Sequence, residues 1–200
     1  QRTEQVNVGG TRNVLAAAEE QCSTTPPLFV YASSVAAYGP RPNATPPRTA
    51  IERLEPVDAY TRSKATGEQL VRECSLPWTI LRIGVAVDST AAAAELEVFR
   101  QLMATHPANR LETVSPADLA LAMANALETP AVRRKTLLIG GGSRCQIRQR
   151  DLLRAVTDAL GIRPLPDSAF GALPFYTDWL DTSESQRLLR YQRHDFAAFR

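Results

Sequence analysis

Four short, largely apolar runs, LFVYA (28–32), WTILR (78–82), LETV (111–114) and KTLLI (135–139), recur along the chain with helix-patterned segments between them. Runs this short are read as strands rather than helices. A strand that stays apolar instead of alternating with polar residues is covered on both faces, as in a parallel sheet flanked by helices. Strands separated in this way by helices predict an α/β layer architecture built on a parallel sheet.

The segments between the strands carry their own signals. Residues 4–20 place Val6, Gly10, Val14 and Ala17 at helical spacing, which predicts an amphipathic helix with that stripe as its apolar face. Gly9 and Gly10 each cost that helix about 1 kcal/mol relative to Ala, which points either to a helix or a ligand close to its backbone or, equally, to glycines tolerated without purpose. Six Gly and Pro residues between Gly39 and Pro56 exclude helix and central strand and predict a long surface loop. Helices follow at 59–72 and 91–104. At the next helix Ser115 is the N-cap, Pro116 the first helical residue and Asp118 the third, with the end before Pro130. A helix over 149–160 stops at Gly161, residues 162–181 read as irregular, and a last short helix runs to Leu189.

Composition narrows the function classes. The 23 basic and 21 acidic residues nearly balance, and the basic ones, all arginine except Lys64 and Lys135, are spread from Arg2 to Arg200. No basic stripe suited to a nucleic-acid backbone results, and no apolar run approaches the roughly 20 residues of a membrane span. Neither nucleic acid nor membrane is expected as a partner, and a cytoplasmic location follows as the expectation. Cys22, Cys74 and Cys145 are too few and too scattered for a disulfide framework and read as free thiols. His106 and His194 have no carboxylate or cysteine at ligand spacing and read as loop or surface histidines, so no metal site is expected. No glycine flanks Ser33 or Ser34 as a hydrolase nucleophile requires.

Tyr60 and Lys64 stand four residues apart at the start of a helix, which places both side chains on one face. With five Tyr and two Lys in 200 residues, that spacing is expected by chance about 0.05 times. A phenol titrating near 10 is a poor proton acceptor at neutral pH. A nearby ammonium favours the phenolate and makes Tyr60 a usable acid/base. Ser34, at the carboxyl end of a strand where open α/β sheets bind their ligands, is the candidate to hold the substrate oxygen.

The segments VNVGGTRNVLAAA (6–18), LFVYASSVAAYG (28–39), DAYTRSKATGEQL (58–70), PWTILRIG (77–84), VSPADLALAMANALE (114–128) and TLLIGGGS (136–143) together resemble the extended short-chain dehydrogenase/reductases, in particular the NAD-dependent epimerase/dehydratase family. The resemblance implies a Rossmann-like doubly wound parallel sheet, N-terminally incomplete. It implies one domain over residues 1–200, with a small C-terminal substrate-binding region at approximately 84–110 and 140–200. Carried over residue by residue, Ser34 resembles the substrate-hydroxyl serine and Tyr60 the catalytic acid/base. Lys64 resembles the lysine that lowers the tyrosine's pKa and bonds the nicotinamide ribose. Asn7 resembles the asparagine near the nicotinamide, and Ala32 and Ile83 would meet the cofactor through their backbones. NAD or NADP is the implied cofactor, a hydroxyl or carbonyl compound such as a sugar nucleotide the implied substrate. A homodimer through the helices at 4–20 and 59–72 is the implied assembly.

Departures from the pattern refine these expectations. Val35 and Ala36 occupy the positions where dehydratases of the family carry an Asp and a Glu, which argues against a 4,6-dehydratase. Ile83, Gly84 and Val85 do not repeat the pattern usual in sugar-nucleotide epimerases, and Ser115 replaces a frequent His as a capping residue. The opening glycine-rich strand–helix turn does not occur in these residues, and Gly140–Gly142 lack its spacing, so the pyrophosphate cradle is not supplied here. The expectation is a longer enzyme of which this is a part. The alternatives are a cofactor-free truncated relative serving as a binding or regulatory scaffold, and a chain whose missing half a partner supplies.

Overall fold

The computed structural model describes residues 2–21, 25–87, 96–174 and 177–199. The chain opens on one helical stretch: α1 (Arg2–Glu4), a π-helical turn (Gln5–Gly9) and α2 (Gly10–Glu20). Then come β1 (Phe29–Ser34), a 3-10 turn (Val35–Tyr38) and the Pro-rich loop leading to α3 (Ala59–Glu73). Beyond it lie β2 (Trp78–Ile83), β3 (Val85–Ala86), α4 (Leu96–Ala104), β4 (Arg110–Val114) and α5 (Pro116–Glu128). The chain ends with β5 (Lys135–Ile139), β6 (Gln146–Arg148), α6 (Gln149–Ala159) and α7 (Ser183–Leu189). The first part of the expected helix at 91–104, and Cys22, lie outside the described residues. Cys74 and Cys145 are free.

Two small sheets organise these elements. The first has the order β1-β2-β5, parallel throughout, and its register brings Ser34, Ile83 and Ile139 level at the carboxyl edge. The second joins β3 in parallel and β6 in antiparallel fashion to β4. Tyr31 and Ile80 pack with Leu15, Val71 and Leu76 beneath the first helical stretch and α3. Leu81, Leu137 and Ile139 pack on the opposite face with Ala122, Ala126 and Leu189. Both faces are therefore covered, which is the physical reason that these strands read as unbroken apolar runs. Burying a side chain such as Leu81 or Ile80, both fully inaccessible, contributes about 1.5–3 kcal/mol each.

The helix ends follow local chemistry. Ser115 Oγ accepts from Asp118 N at 3.0 Å with Pro116 leading α5, and Asp58 caps α3 by accepting from Thr61 N at 2.7 Å. Gly161, just beyond α6, has the left-handed φ of +67° expected of a helix stop.

The structure corrects three readings. Val6 and Val14, expected on the inner face of the first helix, are 64% and 58% exposed, while Val8 and Leu15 are buried. Nothing lies within 4 Å of a Cβ placed on Gly9 or Gly10, so no close neighbour within this chain explains those glycines. The strands β3 and β6 are too short to carry a sequence pattern and were not expected.

Candidate active site

The site forms where α3 crosses the carboxyl end of β1. Asp58 starts α3 with a reciprocal capping arrangement with Thr61, and this fixes its first turn, from which Tyr60 and Lys64 project one turn apart. Gly67 lets the helix approach the sheet: a Cβ there would lie 2.0 Å from the Tyr31 hydroxyl. Lys64 Nζ donates to Ala32 O at 2.9 Å, a carbonyl of β1. The ammonium also stands 5.6 Å from the centroid of the Tyr31 ring and 5.7 Å from that of Tyr60. Half-burial pushes the Lys64 pKa below its ordinary value, because a charged ammonium loses hydration there. Burial likewise pushes the Tyr31 phenol up, with a hydrogen bond to Thr11 acting against it. Tyr60 is 45% exposed, an accessible phenol beside a half-buried ammonium.

Asn7, in the π-helical turn, donates through Nδ2 to Ser63 Oγ at 2.9 Å, and Ser63 Oγ donates to Tyr60 O at 2.7 Å. The first helix is thus tied to the turn of α3 that carries the phenol. Ser34 closes β1, half-buried, and its Oγ accepts from Ala36 N at 3.2 Å. Among the described residues no hydrogen bond joins Ser34 to Tyr60. Ile83 is half-buried at the end of β2, level with Ser34. The geometry therefore brings Tyr60, Lys64 and Ala32 together directly and couples Asn7 to them through Ser63. Ser34 and Ile83 share the same sheet edge, with no hydrogen bond to Tyr60 among the described residues.

Beneath this face lies a network that sequence reasoning missed. Arg82, buried next to the carboxyl end of β2, donates through Nε and Nη2 to Glu68 Oε1 and Oε2, both at 2.8 Å. Ser33 Oγ donates to Glu68 Oε1 at 2.7 Å and Arg72 Nη2 to Oε2 at 2.9 Å. Arg82 Nη1 reaches the Tyr38 hydroxyl at 2.8 Å and Ala50 O at 3.0 Å, and Tyr38 donates to Thr49 O at 2.8 Å. Burial acts to raise the Glu68 carboxyl, but the bonds and charge of Arg82, with Ser33 and Arg72, hold it below its usual value.

The glycine triplet is occupied structurally. Gly142 N donates to Glu112 Oε1 at 2.9 Å, and a Cβ on Gly140 or Gly141 would strike Glu112 or Cys145. Gln146 Nε2 and Leu180 N complete the shell of Glu112, each at 2.9 Å. His194, expected as a surface histidine, has its Nδ1 2.7 Å from Asp118 Oδ1 and fastens the C-terminal segment to α5. Among the described residues no group of three His, Cys, Asp or Glu could hold a metal, and no helix is long and apolar enough to cross a membrane. Cavities of about 310 and 480 Å³ lie around Phe196 and Trp179, and neither is lined by Tyr60 or Lys64.

A tyrosine and a lysine thus stand one turn apart on the helix crossing a parallel sheet, with the lysine bonded to the neighbouring strand. Residues 1–86 match the model of the NAD dependent epimerase/dehydratase family. Solved structures share the fold across nearly the whole chain. An Agrobacterium tumefaciens short-chain dehydrogenase/reductase superfamily protein with bound NAD aligns at TM-score 0.76 and 20% identity, covering 94% of this chain and 68% of that one. UDP-glucuronic acid 4-epimerase from Bacillus cereus, in complex with UDP-glucuronic acid and NAD, aligns at 0.71 and 19%, covering 94% and 62%. A double mutant of the Streptomyces venezuelae dTDP-glucose 4,6-dehydratase, with NAD bound, aligns at 0.76 and 22%, covering 98% and 63%. The chain thus spans 62–68% of these structures. No curated protein matches it.

Proposed function

We propose that these residues form the nicotinamide side and the substrate side of an NAD(P)-dependent oxidoreductase or epimerase acting at a hydroxyl-bearing carbon, a nucleotide sugar being the candidate substrate. The observation that carries this reading is the Lys64 ammonium, held 2.9 Å from Ala32 O at the carboxyl end of β1 with the accessible Tyr60 phenol beside it. The residues fit the nicotinamide end of a dinucleotide: a half-buried cation, strand-end carbonyls and an exposed phenol meet where open α/β sheets bind ligands. They do not supply a pyrophosphate cradle, since the glycine triplet is filled by Glu112 and Cys145.

When bound, the dinucleotide supplies the hydride acceptor or donor. Lys64 would hold the ribose hydroxyls beside Tyr60, whose hydroxyl would exchange a proton with the substrate hydroxyl. Ser34 would bond the same substrate oxygen and set its direction. Asn7, through Ser63, would steady the turn that carries Tyr60. Segments 84–110 and 140–200 would form the substrate side. Dehydration is not part of the proposal, because buried Val35 and its neighbour Ala36 offer no carboxyl for elimination.

Tyr60→Phe tests the reading. Turnover falls about 100-fold or more while dinucleotide affinity stays within about twofold. Loss of affinity in parallel with turnover would make Tyr60 structural. Absence of binding by either NAD(H) or NADP(H) would favour the cofactor-free scaffold. The outward Val6 and Val14, with open space over Gly9 and Gly10, support a homodimer through the first helical stretch and α3.

A further inference from the structure

Tyr60, Lys64 and Glu68 follow one another at four-residue spacing on α3, so an acidic side chain stands one turn beyond the lysine on the same face. Yet Lys64 bonds Ala32 O rather than this carboxylate. The reason lies in what surrounds Glu68. Arg82 takes both carboxylate oxygens in a buried fork, Ser33 and Arg72 add one bond each, and the carboxylate is 2% exposed. We propose that Glu68 and Arg82 are positioning residues: their closed pair keeps the carboxylate from capturing Lys64, leaves the ammonium for Ala32 and Tyr60, and sets α3 against the strand end that carries Ser34.

The bond from Ser33 gives the last part of this assignment its geometry. Ser33 precedes Ser34 on β1, and Glu68 lies one turn from Lys64, so one carboxylate spans the serine and lysine halves of the site. Arg82 extends the tie to Tyr38, at the end of the 3-10 turn that follows β1, and to Ala50 in the Pro-rich loop. Lys64 faces the rings of Tyr60 on its own helix and Tyr31 on β1, with Glu68 one helical turn further along α3; the first helix contributes the neutral Asn7, bonded to Ser63, and Thr11, bonded to Tyr31. A Glu68 left with only Ser33 and Arg72 is thus a competitor for the ammonium.

The functional meaning rests on the Tyr60–Lys64 reading above, but the test does not, because it reads Lys64 directly. Two lysines occur in the whole chain, so the side-chain carbons of Lys64 and Lys135 can be followed by NMR during a pH titration of the intact protein, assigned with Lys135→Arg. In Arg82→Met the Lys64 midpoint rises by about one pH unit as the freed carboxylate draws the ammonium. In Glu68→Gln/Arg82→Met it returns to within about 0.2 unit of the parent, since both charges are gone. If Arg82→Met does not fold, Arg82→Lys carries the comparison, with a rise about half as large because a point charge cannot close both oxygens. An unchanged Lys64 midpoint in the folded single variant, or a double variant that keeps the shift, overturns the proposal. Dinucleotide binding by the parent, measured separately, distinguishes that failure from failure of the cofactor reading.

Discussion

At the residue scale, the clearest local cost sits at Arg190. It follows α7 with φ +47° and ψ +47°, in the left-handed region that favours glycine, and its backbone N–H closes the helix on Gln186 O. Holding an L-residue there costs about 1–2 kcal/mol, and glycine gives part of this back as lost chain entropy. Arg190→Gly is therefore expected to stabilise the fold by about 0.5–1 kcal/mol, read as a rise in Tm of about 1–4 °C by calorimetry. An unchanged or lowered Tm would show that the arginine side chain contributes more than its backbone costs.

At the scale of elements, two buried glutamates tie the sheets to their surroundings with opposite pH dependence. Glu68 joins α3 to β2. Burial alone would raise its pKa, but Arg82, Ser33 and Arg72 bring it below the usual 4.5. Its contribution is present above that value and is lost as the pH falls through the lowered one. Glu112 joins β4 to the glycine triplet, to β6 and to Leu180. Burial raises its pKa, and three hydrogen bonds oppose this only in part. Its folded form keeps the proton longer than the unfolded chain does, so stability falls as the pH rises from 4.5 through the raised value. Urea unfolding across that range is expected to show the slope in the parent and a flatter profile in Glu112→Gln. A slope that survives the substitution would assign it to another group.

These ties also show where the sequence stops being legible. The strands β1, β2, β4 and β5 announce themselves because each is buried on one or both faces, and Ser115 signals a helix start through its bond to the residue three positions on. Tyr60 and Lys64 are visible for the same reason, since helical spacing alone puts them together. Arg82 and Glu68 are separated by 14 residues, and Arg82 and Tyr38 by 44, so no local pattern joins them. Asp118 and His194, 76 residues apart, are hidden in the same way. The inner face of the first helix was misread because the π-helical turn at Gln5–Gly9 departs from the 3.6-residue spacing on which the face was drawn.

At the scale of the whole molecule, the outward face of the first helical stretch is the feature the single chain leaves unexplained. Val6 and Val14 are both more than half exposed, with two glycines between them that would admit a close helix neighbour. A partner chain packing there would give those glycines a purpose and bury apolar area now in water. Sedimentation of Val6→Glu/Val14→Glu is expected to show a monomer where the parent sediments as a dimer. Folding should be unaffected, because neither side chain enters the core. A parent already monomeric at high concentration would remove the dimer from the account.

The proposed role of Lys64 is to hold the nicotinamide end of a dinucleotide, and binding tests it without any knowledge of the substrate. NADH and NADPH fluorescence titrations of the protein as its gene encodes it should show binding of at least one dinucleotide, with Kd raised about tenfold or more in Lys64→Met. No binding to the parent, or an affinity that Lys64→Met leaves untouched, would contradict it.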